Sequence, residues 1–194
     1  MKKSVFFNFI SIVLVFLIGI IIGMIFINHT SNDEILKITS YINDLKENIK
    51  TGNINSFSCL IESLKQNCII VLLIWVLGST IIGSFFIYFV ILYKGFSIGY
   101  TVSAIIASLG IRRGSVFVFS FLFMQNIILL PALFILAKSG LKVYIRIMKN
   151  HVDIKTELIR HLIIMLIVLI ISVVSSIVEV YISTNLLIFL KNFI

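Results

Sequence analysis

The chain has 194 residues, of which 60% are hydrophobic and only 12% charged, with a net charge of +8 and a mean hydropathy of +1.17. A soluble domain is about 45–50% apolar and about 25% charged, so this composition excludes an ordinary soluble globule and describes a polytopic membrane protein of one domain, residues 1–194. The basic residues flank apolar runs instead of covering one surface, which argues against nucleic acid and for anionic lipid at the cytoplasmic face as a partner.

Met1-Lys2-Lys3 precedes an uncharged run, and the first span is predicted near residues 5–27. The run is too long for the apolar core of a signal peptide, about 7–15 residues, so it reads as an uncleaved helix with a cytoplasmic N-terminus. Gly19 and Gly23 form a GxxxG pair of the kind that lets helices approach closely in lipid.

Residues 28–67 form the largest polar segment between spans and are predicted as two extracytoplasmic amphipathic helices. Ser31-Asn32-Asp33-Glu34 has the form of a capping box. Ile35, Ile38, Ile42, Leu45 and Ile49 then recur at helical spacing, with Gly52 at the C-cap position. This stripe rests on the bilayer or bundle, or it presents a partner surface. A second stripe, Phe57, Ile61, Leu64 and Cys68, leads into the next span. Cys59 and Cys68 read as free thiols.

The second span is predicted near 68–93, with Gly78 and Gly83, and the third near 96–111. The polar stretch Tyr93–Thr101 between them reads as a tight turn with a snorkelling Lys94, or as a packing joint built on Gly95 and Gly99. Residues 96–111 reach only about 24 Å, against about 30 Å of hydrocarbon. They cross with thinning or re-enter. A span near 115–137 follows, with Gln125 and Asn126 in its middle and Pro131 beyond. Residues 138–161 read as a cytoplasmic basic amphipathic surface helix, and the last span lies near 162–182 with Glu179 in its final turn.

Five spans place Lys2, Lys3, Lys94, Lys138, Lys142, Arg146, Lys149, Lys155 and Arg160 inside, nine in all. Lys37, Lys46, Lys50, Lys65, Arg112, Arg113 and Lys191 lie outside, seven in all. A re-entrant third segment gives six against ten, so the positive-inside rule favours five spans and an extracytoplasmic C-terminus.

His29, His151 and His161 fall in separate segments without metal-ligand spacing, and no nucleophile or phosphate-loop motif appears. No cofactor, metal or catalytic activity is therefore expected. Gln125, Asn126 and Glu179 are polar groups inside spans; they either hydrogen-bond across helices or serve function.

Trp75-Val76-Leu77-Gly78, the stretch Tyr93–Thr101, Met124-Gln125-Asn126 with Leu130-Pro131-Ala132, and Glu179-Val180-Tyr181-Ile182, in this order, resemble the stage II sporulation protein M family. The resemblance implies a non-enzymatic scaffold of the bacterial cytoplasmic membrane, needed for engulfment at the sporulation septum. Its implied partners are two peptidoglycan hydrolases, stage II sporulation proteins P and D. The fold expected is an all-α helical bundle of five transmembrane helices. The rival reading is a small transporter or channel lined by Gln125, Asn126, Pro131 and Glu179, for which a homo-oligomer would be needed to make a pore.

Overall fold

Apolar runs this long leave the backbone only one way to satisfy its polar groups in lipid, and the chain is all-α. The computed structural model describes residues 2–30, 36, 39–40, 56–80, 82–119, 124–148 and 154–183. Its main helices are α1 (Lys2–Phe26), α2 (Ser56–Gly78), α3 (Gly83–Val118), α4 (Met124–Met148) and α5 (Ile154–Val178). All five are long and apolar enough to cross a membrane. A 3-10 turn, Ile27–His29, ends α1, and a π-helical turn, Glu179–Ser183, extends α5.

The count of five agrees with the sequence, but the second and third helices fall elsewhere. The chain does not turn at Tyr93–Thr101. It turns at residues 79–82, inside the stretch predicted as one span, 68–93. Hydropathy misses this turn because no charge marks it. Ser79 Oγ donates to the Trp75 carbonyl at 2.9 Å and Thr80 Oγ1 to the Leu77 carbonyl at 3.1 Å. The Gly83 amide in turn donates to Thr80 Oγ1 at 3.1 Å. Small hydroxyl side chains thus satisfy the helix ends that loop water would otherwise serve. The stripe Phe57–Cys68 accordingly belongs to α2 itself, not to a surface helix.

The predicted short span 96–111 is the second half of a longer helix that begins at Gly83. From Gly83 to Gly110 it rises about 40 Å, enough to cross without thinning. Gly110 then breaks it with φ 77° and ψ 163°, a conformation that glycine adopts without the penalty of a Cβ. A Cβ built on Gly114 would lie 2.9 Å from Ile106 Cα. Eight residues of straight helix would separate the two by about 12 Å, so residues 111–118 fold back along α3. Arg112 and Arg113 are exposed at this reversal.

The basic segment 138–161 is not a separate surface helix. Its first part completes α4 to Met148, and its last part begins α5 at Ile154. Of the apolar side chains meant for lipid, Leu141 is buried in the core, whereas Met148 at the end of α4 stays exposed.

α4 is the central helix. It supplies Leu129, Ala132, Leu133, Leu136, Ala137 and Leu141 to a core completed by Ile12, Phe16, Val71, Ile74, Ile87, Ile91, Met165 and Val168. α1 packs along α3, and the rows Leu14, Leu17, Ile18, Ile21, Ile22 and Ile25 on its other side stay exposed, as a lipid-facing helix requires.

Candidate functional site

Two helices carry polar side chains at helical spacing within apolar runs, and the fold brings them together. On α2 they are Ser63 and Asn67, four residues apart. On α5 they are Ser172, Ser175 and Ser176, followed by Glu179 one turn later. Such intervals place each set on one helix face. Ser63, Asn67, Ser172, Ser175 and Ser176 are all buried. Asn67 Nδ2 donates to Ser176 Oγ at 2.9 Å and to Ser63 Oγ at 3.4 Å. Ser63 Oγ lies 3.0 Å from Ser176 Oγ and donates to Glu179 Oε2. A hydroxyl has one proton to give, and the carboxylate is the stronger acceptor for it. The pair of hydroxyls is then completed by the Ser176 proton.

Lys94, in the middle of α3, lies within electrostatic reach of Glu179. It is half-buried, and so is Glu179. A lysine in the middle of a span is accommodated when it faces protein and an opposite charge. Lys94 is therefore neither a loop residue nor a snorkelling turn lysine. The cluster can lock α2 and α5 in register. Its hydroxyl–carboxylate pair, Ser63 with Glu179, has the serine buried and engaged by Asn67 and Ser176 as well. Among the described residues no group of His, Cys, Asp and Glu is placed to hold a metal ion.

The glycines form two close contacts. A Cβ on Gly19 would strike the Leu92 carbonyl, and one on Gly23 the Phe96 carbonyl. Reciprocally, a Cβ on Gly95 would strike the Phe16 carbonyl, and one on Gly99 the Ile20 carbonyl. The two small-residue pairs thus face each other across α1 and α3, backbone on backbone. Ser11 Oγ and the Tyr88 hydroxyl, 3.0 Å apart, and the stacked Phe96 and Tyr100 rings beside Phe26 extend the same contact. The second contact joins α2 to α4, where a Cβ on Gly78 would lie 2.9 Å from Gly140 Cα and 2.6 Å from His161 Nε2. His161 is fully buried there, with Nδ1 3.0 Å from Ser139 Oγ. Gly83 sits in the turn, against Thr80 and Leu77.

The remaining predicted residues do not converge. Gln125 and Asn126 stand in the first turn of α4, not at the middle of a helix, because α4 starts at Met124. Asn126 is buried, whereas Pro131 is exposed, so Pro131 does not line an interior path with Asn126 and Glu179. Ile35, Ile38, Ile42, Leu45 and Ile49 lie outside the described residues. Cys59 and Cys68 are free thiols.

Sequence reasoning singled out Glu179 but missed its partners Ser63, Asn67 and Ser176. The signal was present: 172, 175, 176 and 179 follow the 3, 4, 7 spacing of one helix face. Serines are common in membrane helices and bond their own backbone, as Ser172 does to the Leu169 carbonyl at 2.8 Å. Only the neighbouring helix shows which of them cross-link.

A family model described as Stage II sporulation protein M matches residues 12–184. No curated protein matches, and no solved structure does.

Proposed function

The chain belongs to the stage II sporulation protein M family, and from that premise we propose that it is a non-enzymatic scaffold that holds peptidoglycan hydrolases at the engulfing membrane. The family and the five apolar helices support a sporulation-related membrane protein. The observation that carries the reading is the extent of the match, which runs from within α1 through the π-helical turn after α5 and takes in the segment between α1 and α2. The partners in this reading are stage II sporulation proteins P and D.

A scaffold for wall enzymes must offer them a surface on the wall side. One further observation supports such a surface. Thr39 Oγ1 donates to Ser108 Oγ at 3.1 Å, which ties the segment between α1 and α2 to α3 near its reversal at Gly110. Thr39 is thereby joined to α3 beside the reversal. The amphipathic stripe through Ile42 and Leu45 is the apolar feature of that segment, and such a stripe can dock a partner.

Affinity purification from sporulating cells is expected to recover proteins P and D with the chain. The double substitution Ile42→Asp, Leu45→Asp is expected to leave the protein inserted but release the hydrolases and stall engulfment. Normal hydrolase localisation by a stably expressed double mutant would sink the docking claim.

The same reading fixes an orientation. With Lys94 removed from the loops, eight cations lie at the N-terminal side and seven at the other, since 16 minus one is 15. In cells lacking the native cysteines, a cysteine at Asn53 or Asn192 is expected to react with an impermeant thiol reagent, and one at Asn150 is not. Labelling at Asn150 but not at Asn192 would reverse the α4–α5 hairpin.

A further inference from the structure

The scaffold reading makes no use of the end of the bundle where α2 turns into α3, yet the strongest charge cluster of the described residues is there. α4 carries Lys138, Lys142 and Arg146 at intervals of four, which puts all three on one face. From the start of α5, Glu157 reaches across to form an ion pair with Arg146, and it pairs at 3.2 Å with Arg160. Glu157 is 3% exposed. The buried carboxylate therefore anchors two guanidinium groups on adjacent helices and holds them beside the lysine row. Lys142 lies in the combined field of Lys138, Arg146 and Arg160.

Four cations against one carboxylate leave a surplus of three positive charges. Like charges at four-residue spacing destabilise a helix, so the fold gains nothing by gathering them. An anion received among them offsets that repulsion. Arginines held by a neighbouring carboxylate are already oriented, and their remaining N–H donors suit the oxygens of a phosphate.

The surroundings indicate where that phosphate comes from. Met148, Ile154 and Ile159 are exposed apolar side chains on the same two helix ends. Lys138 lies 5.3 Å from the centre of the Phe9 ring, so the row begins against α1 within the apolar body of the bundle. Basic side chains bordered by exposed apolar ones match a lipid whose headgroup is anionic and whose chains are not.

We propose that the α4–α5 end is a binding site for the headgroup phosphate of an anionic phospholipid, held by Lys138, Lys142, Arg146 and Arg160. The site does not depend on the scaffold reading, and its failure would leave that reading untouched.

The test uses the full chain purified in detergent. Phosphatidylglycerol and phosphatidylcholine are titrated separately, and bound lipid is read by native mass spectrometry. Phosphatidylglycerol is expected to bind at least tenfold more tightly. The substitution Lys138→Gln, Lys142→Gln leaves the Glu157 pairs in place and is expected to remove that tenfold preference. Lys65→Gln, on exposed α2 surface at the other end, is expected to keep it. If the double variant folds poorly, Lys142→Gln alone is expected to weaken phosphatidylglycerol binding about threefold with phosphatidylcholine unchanged. Equal binding of the two lipids by the wild type, or a preference that survives the substitutions, overturns the site. In a third arm, inorganic phosphate at matched concentration that displaces phosphatidylglycerol completely would show a free-anion site and overturn the lipid assignment.

Discussion

Gly99→Leu is expected to abolish the folded bundle, and Gly99→Ala to damage it. The sequence suggests that alanine should be mild, since it is itself a small residue. The contact is closer than that. The atom that a Cβ at Gly99 meets is the Ile20 carbonyl oxygen, with Ile20 Cα at 2.9 Å. A flexible side chain can swing aside, but a helix backbone cannot. α1 must move away from α3 to admit even one carbon, and this opens the neighbouring contacts at Gly19, Gly23 and Gly95 together. Overpacking of this kind costs about 1–3 kcal/mol, a large part of a marginal stability. Leucine adds three further carbons and has no space to enter. The measurement is the yield of monodisperse protein in mild detergent, followed by its thermal transition. Wild-type behaviour of Gly99→Ala would show that the helices lie farther apart than described. Ile98→Ala, one position away and outside the glycine contact, serves as a comparison for the general sensitivity of α3.

Glu157→Ala is expected to be the most damaging change at the other end of the bundle. Removing one member of a buried ion pair typically costs about 3–5 kcal/mol, because the remaining charge is left uncompensated. Here the side chains of Arg146 and Arg160 are 22% and 52% exposed, so water recovers part of the loss and about 2–3 kcal/mol is expected. Glu157→Gln should fall between wild type and alanine, since the amide oxygen still accepts from the arginines but the charge is gone. Unfolding by increasing denaturing detergent, followed by far-ultraviolet circular dichroism, checks the order. If both the alanine and the glutamine variants are as stable as wild type, the charge of Glu157 contributes nothing and the pairing has no energetic role.

The stretch around Gly95 shows how the sequence misleads. Lys94 between two apolar runs looks like the end of a span, because a charge in lipid is expensive. The true turn, 79–82, holds serine and threonine between glycines and stays apolar enough to pass for the middle of a span. Hydropathy weighs each residue alone, so it charges Lys94 its full cost and cannot credit the acid that lies within its reach. Glu179 is 85 positions further along the chain, and its proximity comes from packing that sets both α3 and the turn after α5 against α2 and α4. The same limit hid Glu157: its place in a basic segment suggested a wet surface, whereas it is buried between α4 and α5.

What the sequence determined by itself is what depends on local composition and spacing. That covers the membrane class, the all-α fold, the number of spans, the pairs Gly19 with Gly23 and Gly95 with Gly99, and the ordered residues that carry the family resemblance. All but the last follow from the lipid's demand for satisfied backbones and apolar surface, or from the 3.6-residue turn, and neither needs knowledge of a neighbour. Tertiary structure alone decided that the two glycine pairs meet each other, that Ser63, Asn67, Ser176 and Glu179 form one network, and that Lys94 stays inside the bundle. These are relations between distant segments. A small residue permits contact with any helix and a hydroxyl accepts many partners, so their meaning is set only when packing chooses which helix lies beside which.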